Sequence, residues 1–307
     1  MPSDYEIQAM AQIRAWKHPE LGFLGRAMQV INRPLDATGN VVLKTPGVGW
    51  VIERSVNGIV GVANDLAHLS VRSGAIHEEF RKAGHSEINT RQDIRQLDLE
   101  ELDRVIGWLG AKYKGLALVE GGAAGAAGLA GMVVDIPALV TLNLRAIGEY
   151  ATYCGFDVST QQERLFAMNV LGLASSPSDA SKTLALAQLV RIGQDVAKQK
   201  VWTELEKHAF VAVLQRIAKA LGIRLTKAKL AQSLPILGGV VGAGFNAYFT
   251  ARVCDSAYFL YRERFLAAKY GEDWLSKPVA PADGVDPGYE EEDLEIGPTV
   301  PPPELGS

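Results

Sequence analysis

The chain has 307 residues, 48% hydrophobic and 21% charged, with a formal net charge of −4. That length allows one large domain or two, with a sizeable core. Two cysteines, Cys154 and Cys254, make neither a disulfide framework nor a metal spacing, and the Ala/Gly wealth with few aromatics favours close-packed helices over sheets. The opening MPSDYEIQAM has no basic region followed by an apolar one, so no secretory signal is expected. From Gly271 onward acids dominate and Lys277 is the sole base, which leaves the preceding body mildly basic. A basic body favours an anionic partner such as a lipid surface.

Ile7, Met10, Ile13 and Trp16 recur at helical spacing, and Phe23 to Ile31 reads as a second short helix ended by Asn32-Arg33-Pro34. These two form an amphipathic N-terminal pair over residues 1–40, with Asp4, Glu6 and Glu20 arguing against an anionic surface there. After Pro46, Val48, Val51, Ile52, Val56, Ile59, Val60, Ala63 and Leu66 form a wide apolar stripe, so this helix faces the core. His68, His77 and His85 match no metal spacing and read as surface or cap residues. Asp98 and Glu101 have the spacing of a capping box. The helix they open carries Leu102, Val105, Ile106, Leu109 and Tyr113 and is expected to run on into a glycine-rich stretch.

That stretch, Gly121 to Asp157, reads GGAAGAAGLAGMVVDIPALVTLNLRAIGEYATYCGFD. Small residues four apart share one helical face and allow another backbone to approach closely. Asp135-Ile136-Pro137 reads as a turn, so two apolar runs are expected to form a tight helical hairpin with charge at its elbow. Further helices are expected after Ser159-Thr160, over Asp179 to Lys200, and from Thr203 to Leu221. Bases outnumber acids between Lys182 and Lys229, but no aromatic interleaving accompanies them, so nucleic acid is not an expected partner. Leu230 to Ala251 carries no charge and is nominally long enough to span a bilayer, although Gln232, Ser233, Pro235, Asn246 and four glycines suit a buried helix equally. Gly121, Gly125 and Gly128 are expected to face the run from Gly238 to Gly242, with two helices packed backbone to backbone.

No G-x-S-x-G, H-E-x-x-H or P-loop lysine motif occurs, and Gly47-Val48-Gly49 lacks the third glycine of a dinucleotide fold. What stands out is polar groups inside apolar runs: Asp135, Arg145, Glu149, Asp157, Asn246 and Arg252. A buried charge costs several kcal/mol unless paired, and Arg145 and Glu149, four apart, can pair with each other. The group forms either a structural network that fixes helix register or a ligand or lipid-headgroup site at the elbow.

GGAAGAAGLAGMVVDIPALVTLNLRAIGEYATYCGFD, together with LPILGGVVGAGFNAYFTARVCDSAYFLYRERFL, resembles the EcsC protein family. The shared features are the Gly/Ala run, an Asp before Ile/Leu-Pro, an Arg in the next helix, a Tyr-Gly-Phe-Asp ending and a later Pro-x-x-Gly-x-x-x-Gly-x-x-x-Asn run. Here Cys154 stands between Tyr153 and Gly155, and the resemblance covers Val41 to Tyr270. It implies association with the cell envelope or an ABC-type exporter and carries over no catalytic residue.

The expected architecture is all-α. A single multi-helix domain (41–275) surrounds the Gly/Ala-rich hairpin, behind the N-terminal helices (1–40) and before a disordered, acidic, Pro-rich tail (276–307). The expected function is a non-enzymatic, membrane-associated helical protein, cytoplasmic or peripheral on the inner face of the membrane. It would bind lipid or an envelope or transporter protein, with no cofactor, metal or catalytic residue. Two other readings stay open: a soluble helical scaffold whose glycine faces pack internally, and an enzyme with an unrecognised Asp/Arg site.

Overall fold

The computed structural model describes residues 1–17, 47–64, 71–124, 128–175, 215, 217–226, 229 and 242–271. Every regular element among them is helical, as the 3.6-residue periodicity requires: α1 (Asp4–Lys17), α2 (Val48–Asn64), α3 (Ser73–Lys82), α4 (Arg91–Ile94), α5 (Leu99–Ile106), α6 (Leu109–Ala124), α7 (Gly128–Tyr153), α8 (Gln161–Ala174) and α9 (Gly242–Tyr270). A further helical stretch covers 217–226. The long α9 is the axis of the bundle, packing along α6, α7, α8 and α1, while α2 lies on α7.

Side-chain pairings fix the helix directions. Gly110 meets Tyr150 Oη and Lys112 Nζ reaches Glu149 Oε2 at 2.7 Å, so the start of α6 lies beside the end of α7 and the two run antiparallel. Asp135 meets Asn246, and Tyr150 meets Tyr258, so α7 and α9 run parallel. Gly58 meets Pro137 and Val71 meets Gly148, which sets α2 parallel to α7 as well. The N-termini of α2, α7 and α9 and the C-terminus of α6 therefore share one end of the bundle, called here the α6–α7 end.

The opposite end is tied by charge. Lys269 Nζ reaches Glu6 Oε1 at 3.0 Å and Asp98 Oδ1 at 2.6 Å, and the Tyr270 hydroxyl donates to Glu6 Oε2 at 2.6 Å. Lys17 pairs with Glu263, and Trp16 stacks on Phe259. Glu6 is thus buried against α9 and not, as the acid count of the N-terminus implies, a charge presented to the surroundings. The hydrogen bonds from Tyr270, Ser3 and Lys269 outweigh its burial and hold its carboxyl below the usual range.

Three other readings are corrected. The helix opened by Asp98 stops at Ile106, and Gly107 and Trp108 break it from α6. Asp135-Ile136-Pro137 is no turn: Pro137 lies inside α7. Proline removes one helical donor, but it sits in the N-terminal half of a 26-residue helix, where the remaining ladder carries the chain through. Ile7, which shares the helical spacing of Met10 and Ile13, is exposed, and Ala9 is buried beside them instead.

Gly155 ends α7 at φ +76, with Phe156 N–H donating to Ala151 O and Gly155 N–H to Thr152 O, the paired bonds of a left-handed cap. Thr160 then caps α8 through its hydroxyl, which accepts from Glu163 N–H. Both cysteines are free and buried. The expected helices at 23–31 and 179–200, the first part of the one at 203–221, residues 230–241 of the uncharged run and the tail all lie outside the described residues. So do Gly125 and Gly238, while of Gly121, Gly128 and Gly242 only the helical backbone falls within them.

Candidate functional site

Near the α6–α7 end, three polar side chains close a ring inside the bundle. Lys229 Nζ contacts Asp135 Oδ2 on α7 and donates to Asn246 Oδ1 on α9 at 2.8 Å. Asn246 Nδ2 donates to Asp135 Oδ1 at 3.2 Å. All three are buried, Asn246 completely and Lys229 at 9% exposure. Phe245 puts its ring 5.6 Å from the ammonium. Burial pushes Lys229 down to about 8, and the Glu120 carboxylate on α6 pulls the other way. The Glu120 carboxyl is itself raised by burial. A charge pair out of water needs its remaining lone pairs and protons satisfied, and the Asn246 amide meets both members at once.

The other polar candidates sit elsewhere. Arg145 Nε lies 3.6 Å from Glu149 Oε1, and Lys112 shares that carboxylate. This group is three to four helical turns along α7 from Asp135, about 15–20 Å at 1.5 Å per residue. Asp157 lies past the end of α7, pairing with Arg91 and accepting from Ser159 N–H and Oγ. Arg252 lies over the Tyr248 ring, at 5.9 Å. Asp135 and Asn246 therefore meet, and Arg145, Glu149 and Asp157 do not join them.

Two further buried ion pairs occupy the C-terminal half of α9. Arg262 Nη2 donates to Asp103 Oδ2 at 2.7 Å, and the Tyr5 hydroxyl joins that oxygen at 2.8 Å. Burial, then Asp103, pushes the Tyr5 phenol up to about 12. Arg264 makes a two-pronged pair with Glu163, at 2.6 and 2.9 Å, sandwiched at 4.1 Å from both Phe156 and Phe166. In the sequence Arg262, Glu263 and Arg264 are simply adjacent charges, and Lys229 is the last base of a stretch in which bases outnumber acids. The only local signal for Lys229 is its place as the last charge before the uncharged run.

Large apolar side chains are also exposed on several helices. Leu116, Leu118 and Val119 on α6, Val134 on α7, Tyr248 on α9 and Trp50 on α2 are all about half exposed or more, Val119 reaching 77%. Among the described residues no group of three His, Cys, Asp or Glu is placed to hold a metal ion.

Helices bound along one long axial helix by buried ion pairs define an all-α bundle protein. The chain belongs to the EcsC protein family, whose model matches residues 8–266, from within α1 almost to the end of α9. It is similar to two proteins of Bacillus subtilis (strain 168). "Uncharacterized protein YdbA" is 27% identical over 196 residues, covering 63% of this chain and 69% of the relative. "Protein EcsC" is 26% identical over 196 residues, covering 63% and 76%. No solved structure matches the chain.

Proposed function

We propose that this chain is a non-enzymatic, membrane-associated helical protein that meets lipid with its exposed apolar side chains and sits peripherally on the cytoplasmic face. One observation carries the reading: Leu116, Leu118 and Val119 on α6, Val134 on α7, Tyr248 on α9, Trp50 on α2 and Trp108 just before α6 are each about half exposed or more. Leu116, Leu118 and Val119 fall within four residues of one helix, and exposed apolar surface of that kind on a folded protein marks a site of association. Moving these half-exposed side chains out of water is worth on the order of 5 kcal/mol at 1.5–3 kcal/mol per fully buried side chain. That supports reversible attachment more than permanent insertion. Gly131–Tyr153 is long and apolar enough to cross a membrane, but half of it is buried in protein, which suits a core helix.

Co-flotation of the purified chain with phosphatidylcholine vesicles tests the proposal. Wild type should float with the vesicles, and Val119→Glu/Val134→Glu should stay in the soluble fraction while keeping its helical circular dichroism. Wild type that never floats would leave an envelope protein partner or the scaffold reading in its place.

A further inference from the structure

We propose that Arg145 and Lys112, which stand together on the outer face shared by α6 and α7, bind the phosphate of a phospholipid headgroup while Leu116 and Val119 beside them meet its acyl chains. The inference rests on the membrane reading above and adds to it which face meets the bilayer and which headgroup atoms it recognises.

The two cations share one carboxylate. Lys112 Nζ lies 2.7 Å from Glu149 Oε2, and Arg145 Nε lies 3.6 Å from Glu149 Oε1. Glu149 is buried, whereas the Arg145 side chain is 49% exposed and that of Lys112 30%. One positive charge is therefore left over at the surface. Among the described residues Arg145 makes no other ion pair or hydrogen bond, so its Nη1 and Nη2 donors are open to a ligand. A guanidinium can grip a phosphate with two parallel N–H donors. Lys112 adds a point charge at the other oxygen of Glu149, and its ammonium lies 4.9 Å from the centre of the Trp108 ring.

The same contact sets what surrounds the site. α6 and α7 pack side by side and antiparallel, so with Lys112 beside Glu149, Leu116 comes level with Arg145 and Val119 with Leu142. Trp108, Lys112, Leu116 and Val119 recur at helical spacing and share one side of α6. Trp108 and Leu116 are half exposed, Val119 more so, and Leu142 is half-buried. Val119 lies about 10 Å beyond Lys112 along α6 at 1.5 Å per residue. An interfacial surface enters the boundary between headgroups and acyl chains to about that depth. Lys112 and Arg145, gathered on one carboxylate, then sit together at the level of the phosphates. Trp108 lies behind them on the water side, and tryptophan favours that interface.

The test is flotation of the full chain with vesicles of phosphatidylcholine and with vesicles of digalactosyldiacylglycerol, an uncharged lipid that has acyl chains but no phosphate. A hydrogen bond to a charged group shifts an equilibrium about tenfold or more, so wild type should bind phosphatidylcholine about tenfold more tightly. Arg145→Gln, with its helical circular dichroism intact, should bind the two vesicles equally. Inorganic phosphate at matched ionic strength should leave the wild-type preference in place, because it brings no acyl chain to Leu116 and Val119. Loss of the preference in inorganic phosphate would make this a site for the free ion and overturn the lipid assignment. Equal wild-type binding to both vesicles, or a preference that survives in Arg145→Gln, overturns the inference and leaves the membrane reading standing. Wild type that floats with neither vesicle overturns both. The wild-type comparison needs no variant, so it decides the matter even where Arg145→Gln misfolds.

Discussion

Gly58 on α2 lies directly against the ring of Pro137 on α7. A Cβ placed on Gly58 would stand 2.5 Å from Pro137 Cγ and 3.1 Å from its Cβ. The pyrrolidine ring cannot swing aside as a flexible side chain would, so any substituent on Gly58 must move one helix. Overpacking of this kind costs about 1–3 kcal/mol, against a gain of up to about 1 kcal/mol from alanine in a helix. Gly58→Ala should therefore lower stability in chemical denaturation. Pro137→Ala removes the ring and restores a helical N–H, so it should recover the loss in the double variant. A Gly58→Ala protein as stable as wild type would mean that α2 and α7 do not meet there.

The ring of Asp135, Lys229 and Asn246 makes a second prediction. Removing one partner of a buried ion pair strands the other and costs about 3–5 kcal/mol. Lys229→Met should show a loss of that order, and Asp135→Leu likewise. The double variant strands no charge and leaves the Asn246 amide to be satisfied, a penalty of about 1–3 kcal/mol. It should be more stable than either single variant. Additive losses in the double-mutant cycle would show that the two side chains do not share a site.

The sequence makes the helical class and the family legible, because apolar spacing and paired Gly/Ala runs are local signals. Asp135 and Asn246 are legible for the same reason, each being a polar residue surrounded by uncharged chain. Lys229, Asp103, Glu163 and Arg264 are not, since each sits among other charges where burial leaves no local mark. Pro137 misleads in the opposite direction. Asp-Ile-Pro has turn chemistry, and the helix runs through it beside Gly58, a neighbour 79 positions away that no local rule consults.

Lys229 also sets a pH response. Its ammonium is pushed down to about 8 in the folded chain from an ordinary 10.5. Between those values the unfolded chain binds the proton more tightly, so stability rises with pH across that window. Below pH 8 both states are protonated and the contribution is constant. The stability of wild type relative to Lys229→Met should therefore climb as pH goes from 8 to 10.5, by chemical denaturation at matched ionic strength. The difference cancels the other lysines and tyrosines that titrate in the same range. A flat difference would mean that the Lys229 ammonium is solvated in the folded chain.

Gly155 and Gly271 both end long helices with positive φ, +76 and +85, and differ in what surrounds them. A Cβ on Gly155 would lie 2.8 Å from Arg91 O and 2.9 Å from Arg95 Cγ, whereas a Cβ on Gly271 meets nothing within 4 Å. The left-handed conformation alone costs a residue with a Cβ about 1–2 kcal/mol, and both alanine variants should lose that much. Gly155→Ala must in addition push the backbone of α4 away, disturbing the Arg95 Nε–H bond to Gly155 O at 3.0 Å and the Arg91–Asp157 pair. Its melting temperature should fall clearly further than that of Gly271→Ala. Gly271→Asn should be nearly neutral, because asparagine tolerates this conformation. Equal losses at the two glycines would show that α4 is not seated against the end of α7.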